Sequence, residues 1–131
     1  MLSTHSLSTG FLLTASCCVA MADSPAPAVD THQSLAIELV SILSETEIQL
    51  RSCTDEHSVV AAIPQLLQLK ERATQLKERQ KALPEPTVQD FLAAEKLMGD
   101  FNTLTQAIES HITRLQQQNL VSPELKTILH L

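Results

Sequence analysis

The five residues Gln68-Leu69-Lys70-Glu71-Arg72 recur seven positions later as Gln75-Leu76-Lys77-Glu78-Arg79, and no other feature restricts the chain's fold as much. A copied heptad keeps its leucines on one edge only in a helix packed at about 3.5 residues per turn, the period of a left-handed coiled-coil seam. The same edge runs on through Ala62, Leu66, Leu69, Ala73, Leu76, Gln80 and Leu83, in alternating steps of four and three. A strand, whose period is two, has no use for such a pattern. Lys70, Arg72, Lys77 and Arg79 alternate with Glu71 and Glu78 beside the seam, which reads as a solvated bundle face.

Composition points to the same class. Of 131 residues 44% are hydrophobic, yet only three are Phe and none is Trp or Tyr, so the core must come from Leu, Ile, Val and Ala. The two glycines, Gly10 and Gly99, are too few for β-hairpins, whose corners need positive φ. A chain of 131 residues has room for one domain. Its net charge of -6 argues against general nucleic-acid binding, which needs clustered Lys and Arg.

Three further stretches carry helical patterns. Asp30 or Thr31 can cap a first helix over about 31–52, with Leu35, Leu39, Ile42, Thr46, Leu50 and Cys53 on its stripe. A turn at Ser52, Thr54 and Asp55 opens the second helix, about 55–83; Pro64 either kinks its first turns or marks a later start. Pro84-Glu85-Pro86 ends that helix, and Thr87 with Asp90 caps a third over about 87–119. The third stripe is Phe91, Ala94, Met98, Phe101, Thr105, Ile108, Ile112 and Leu115. Ser122-Pro123-Glu124 then starts a short terminal helix, 122–130.

The expected fold is all-α: an antiparallel helical hairpin within a three-helix bundle, plus the short C-terminal helix. A connection as short as Pro84-Glu85-Pro86 predicts that helices two and three are neighbours. Folding there places Ala73 near Met98, Leu69 near Phe101, Ile63 near Ile108, and Lys77 beside Glu95. Met98 and Phe101 are then core filler, and Gly99 is simply tolerated in mid-helix.

Residues 1–22 contain no Asp, Glu, Lys or Arg. Residues 11–20 form an apolar run too short to span a bilayer, and Ala20-Met21-Ala22 has the small-x-small pattern of signal peptidase sites. The expectation is a signal peptide over 1–22, a Pro-containing tether over 23–30, a helical domain over 31–131, and a periplasmic or secreted address. Cys17 and Cys18 offer a lipoprotein variant, and only lipidation there would keep the processed chain at a membrane. Cleavage after Ala22 leaves Cys53 as the one cysteine, buried or bonded to another chain.

Catalytic signatures are missing: no haem-attachment motif, no paired Glu-x-x-His, no phosphate-binding Gly-rich loop and no His-Glu-x-x-His. Neighbouring acids such as Glu45 and Glu47, or Asp55 and Glu56, point in diverging directions on a helix and make no acid and base pair. Cys53, His57 and His111 are the best metal-ligand candidates, of types suited to zinc or copper. At helix ends they read first as capping and surface groups, so no metal, cofactor or catalytic residue is assigned.

Ser58-Val59-Val60-Ala61-Ala62-Ile63-Pro64-Gln65-Leu66, with the heptads and Pro-containing turn that follow, resembles uncharacterised small exported helical proteins of bacteria over about residues 35–118. The resemblance implies a periplasmic or surface helical module without a known active site. Leu104-Thr105-Gln106 lacks the properly spaced Gln of the periplasmic chaperones built on repeated Leu-Thr-x-x-Gln, so that match fails. The functional expectation is a non-enzymatic interaction or structural module of the cell envelope, able to pair with itself or an envelope protein. The alternative is a periplasmic binding protein, either a client-holding chaperone or a weak metal binder.

Overall fold

A computed structural model describes residues 29–131. The export segment, the cleavage site after Ala22, Cys17, Cys18 and most of the tether lie outside the described residues. The described chain forms helices α1 (His32–Ser52), α2 (Glu56–Lys81), α3 (Val88–Glu95), α4 (Met98–Gln117) and α5 (Pro123–Leu129), with no strand among those residues. The class is all-α, a helical bundle with a short C-terminal helix.

Local chemistry sets the helix boundaries. Thr31, Asp55 and Thr87 each accept a hydrogen bond from the amide three residues on, while the side chains of Ser34, Ser58 and Asp90 reach back to the cap amides. Each reciprocal box satisfies two amides that the first turn leaves free. Ser122 caps α5 in front of Pro123. At the far end of α4, Asn119 turns left-handed at φ 55. Leu120 N–H then returns to Leu115 O at 2.9 Å and Asn119 N–H to Gln116 O at 3.1 Å, the paired bonds of a Schellman stop. Pro64 neither ends nor delays α2, which is helical from Glu56 onward; the proline lies on its exposed side.

Helix α1 is the spine. Most of its residues are at least half-buried, with Leu35, Ile42, Leu50 and the following Cys53 fully so. Thr46, on the same stripe, satisfies its hydroxyl on Ile42 O at 2.8 Å. α2 runs antiparallel to α1, as its ion pairs show: Arg79 near its end holds Asp30 and Glu38 near the start of α1, and Arg72 meets Glu45 further along. His32 Nε2 adds a bond of 2.7 Å to Pro84 O, fastening the turn after α2 to the first turn of α1. α4 lies on the other flank and runs parallel to α1, since His111 reaches Glu47, and Arg114 reaches Leu50 and Cys53. The three long helices are thus arranged up, down, up.

The expected close pairing of the second and third helices is not what forms. No Cα of α2 comes within 8 Å of a Cα of α4; the close pairs are α1 with α2 and α1 with α4. Ala73 with Met98, Leu69 with Phe101, and Ile63 with Ile108 are therefore not backbone neighbours. The cause lies after Pro84-Glu85-Pro86. Instead of turning straight back along α2, the chain lays α3 against the first turns of α1, where Phe91 and Ala94 border a hollow with His32, Leu35 and Ala36.

The third helix is also two helices. Lys96 and Leu97 form a turn in which Leu97 N–H bonds Ala94 O at 2.9 Å, a tightened i to i−3 link, before α4 begins at Met98. Phe91 and Met98, expected in the core, are 64% and 53% exposed. Of the predicted third stripe only Leu115 is fully buried. Leu125 and Ile128 of α5 complete the core on the α2 side.

Candidate functional site

Cys53, His57 and His111 are not brought together. Cys53 ends α1 with 0% of its surface exposed, and its thiol donates to Gln49 O at 3.3 Å. Burial pushes that thiol up from its ordinary value, and the Arg114 charge only partly opposes the shift. His57 stands exposed in the first turn of α2. His111 points elsewhere, donating from Nε2 to Glu47 at 3.2 Å. Among the described residues no three His, Cys, Asp or Glu side chains are grouped to hold a metal ion.

Around Cys53 the structure builds a joint. The Arg114 guanidinium donates to Cys53 O at 2.8 Å and Leu50 O at 3.0 Å, two carbonyls at the end of α1. Leu50 O also accepts the Cys53 N–H at 3.2 Å, whereas Cys53 O lies beyond the helical ladder, and a cation at this end also suits the helix dipole. Glu47 links His111 to Arg51, which lies 3.3 Å from it. These contacts set how α4 docks on α1, and nothing in them activates a nucleophile.

A concavity lies along the stripe of α2 that sequence reasoning expected in a closed seam. A groove of about 460 Å³ runs between α1 and α2 and is stopped at one end by α5. Leu39, Ile42 and Leu43 of α1, and Leu69, Ala73 and Leu76 of α2, supply its apolar surface. Ile128, Leu129 and His130 form the closed end. A smaller hollow of about 220 Å³ beneath Phe91 shares Leu39, Leu76 and Gln80 with the groove. Together they trace an apolar path along α1 from α5 to α3.

The duplicated heptad gives α2 two unlike flanks. Arg72 and Arg79, seven residues apart, face α1 and meet Glu45, Asp30 and Glu38. Arg79 binds both oxygens of Asp30, at 3.0 and 2.7 Å, which holds that carboxyl below the usual range. Lys70 and Lys77, at the same spacing, line the groove and make no salt bridge among the described residues. The expected pair of Lys77 with Glu95 does not form, because α3 and α2 do not adjoin. Lys70 Nζ lies 3.5 Å from Thr127 O, where α5 closes the groove.

Sequence reasoning missed this role for the lysines, since the pattern that places them at the groove also suits a solvated face. The available signal was the heptad copy itself, which repeats one Lys and one Arg on opposite sides of the Leu seam. No helix among the described residues is long and apolar enough to cross a membrane. Comparison with protein-family models, curated proteins and solved structures finds no match for the chain.

Proposed function

We propose that the chain is an exported, non-enzymatic helical module of the bacterial cell envelope that works by binding. The observation carrying this reading is the apolar groove left beside α2, on the side where the sequence expected a sealed seam. A groove of several hundred Å³ with apolar walls and a few polar rim groups has the character of a binding site. A non-catalytic role is supported by the chemistry of Cys53: a buried thiol bonded to a carbonyl, with its pKa raised, is a poor nucleophile. The envelope address rests on the uncharged residues 1–22 and the Ala20-Met21-Ala22 pattern.

The test follows the full chain expressed in a Gram-negative host. Intact-mass measurement of the periplasmic fraction is expected to find the form starting at Asp23. A photocrosslinking residue at Ala73, in the groove, is expected to give adducts in the envelope that the same residue at Leu67, outside it, does not. An unprocessed cytoplasmic chain, with equal labelling at both positions, would contradict the proposal.

A further inference from the structure

We infer that the groove between α1, α2 and α5 is a binding site for a long-chain carboxylate, taken up as a single molecule. The inference deepens the reading of the chain as a binding module and rests on it. The groove offers a ligand two things. Its walls are aliphatic, from Leu39, Leu43, Ala73 and Leu76, with no acidic side chain among its lining; Asp90 and Phe91 border only the hollow beyond it. Its ionisable lining groups are Lys70, Lys77 and His130, in a chain whose net charge is -6.

That local charge is opposite to the charge of the whole. The two arginines of the heptads are matched by carboxylates of α1, whereas the two lysines meet none among the described residues. An apolar ligand with one anionic end supplies what the site lacks. A cationic amphiphile would face two like charges, and a neutral one would leave both ammonium groups without a counter-charge, Lys70 having only the Thr127 carbonyl.

The geometry also gives an orientation. Lys70 stands where α5 stops the groove, with His130 lining the same end. The path then runs on the order of 15 Å from Lys70 to the level of Gln80, ten residues along α2. From there it continues through the shared walls Leu39 and Leu76 into the hollow beneath Phe91. The carboxylate binds at Lys70, the acyl chain points toward α3, and Lys77 adds attraction from the rim. An amine meeting a carboxylate beside apolar walls is screened less than one in open water, so the charge contributes to affinity.

The test is calorimetric titration of the full chain with dodecanoate, below the concentration at which it forms micelles. Saturable binding of one molecule per chain is expected. Replacing the carboxylate by an ammonium (dodecylammonium) or a hydroxyl (dodecanol) is expected to weaken it at least tenfold. K70Q is expected to cost about tenfold and K77Q about threefold, with circular dichroism unchanged, because both substitutions leave the apolar walls intact. A73F, which fills the groove, is expected to abolish binding.

Equal affinity for dodecanoate and dodecylammonium, or affinity indifferent to K70Q, would overturn the inference. So would binding only to phosphatidylglycerol vesicles, which would indicate a membrane surface. A dimer in sedimentation that K70Q leaves intact and A73F dissociates would instead give the groove to a second copy. If dodecanoate fails but the Ala73-specific envelope adducts persist, the carboxylate assignment falls and the binding module stands.

Discussion

Two residues, Arg114 and Cys53, form the joint between the end of α1 and α4. Arg114 satisfies Cys53 O and adds a second donor to Leu50 O, which also accepts the Cys53 N–H, and leaving a carbonyl such as that of Cys53 unpaired costs about 1 to 3 kcal/mol. Arg114→Met is therefore expected to lower stability by about 2 kcal/mol, read as a shift in the urea midpoint with unchanged slope. Cys53, sealed at the same joint, is expected to react with a thiol reagent only as fast as the fold opens, and at once in denaturant. Rapid labelling at Cys53 of the native protein, located by peptide mass, would contradict the burial. Gly99 is the reverse case. A Cβ added there would meet nothing within 4 Å, and no glycine among the described residues has positive φ. Gly99 is not in mid-helix as expected but in the first turn of α4, so Gly99→Ala is expected to stabilise by less than the interior propensity difference, about 0.5 kcal/mol or below, in thermal or chemical unfolding. The sequence expectation of a tolerated glycine, with no close approach to protect, agrees with that open surrounding.

At the scale of elements, capping chemistry was legible because it is local. Thr31, Asp55, Thr87 and Ser122 cap α1, α2, α3 and α5, each within a few residues of where turn chemistry alone put a start, whereas α4 opens at Leu97 without a side-chain cap. The stripe of α1 was legible for a similar reason: enclosed between α2 and α4, it shows its full period in the sequence. The break between α3 and α4 was not legible. Lys96 and Leu97 both stay in the right-handed helical region, and no Pro marks the place, so the pattern of apolar residues crosses the kink unchanged. Tertiary packing of α3 on α1 decides it.

Caps also set an acid response. Asp55 is held below its ordinary pKa chiefly by the Ser58 backbone N–H, and Asp90 by that of Thr87. Asp30 is lowered chiefly by the Arg79 hydrogen bond. A carboxyl whose folded pKa is depressed stabilises the fold fully above its unfolded value and loses that contribution as pH falls through the folded one. The melting temperature is accordingly expected to fall as pH drops below about 4. A flat profile down to pH 2 would show that these three carboxylates do not support the fold.

On the scale of the whole molecule, the bundle is held by α1, and the long helices α2 and α4 are joined through it rather than to each other. Sequence gave the number of stripes and their faces, but a stripe does not say which of two partners covers it. Short connections usually settle that choice, and here the eight-residue α3 intervenes after the Pro-Glu-Pro bend and redirects the chain. The candidate site was invisible for the same reason, since a groove lies between elements, and its lysines look like any solvated flank until α1 has taken the arginines. The arrangement of helices therefore decides whether the groove exists. Paired cysteines placed in a background with Cys17, Cys18 and Cys53 all changed to Ser, and treated with a short thiol-to-thiol crosslinker, read it directly. Cysteines at positions 47 and 111, whose native side chains meet at 3.2 Å, are expected to bridge rapidly, and those at 73 and 98 to remain unbridged. Rapid bridging of 73 to 98 with none between 47 and 111 would contradict the central place of α1 and close the groove.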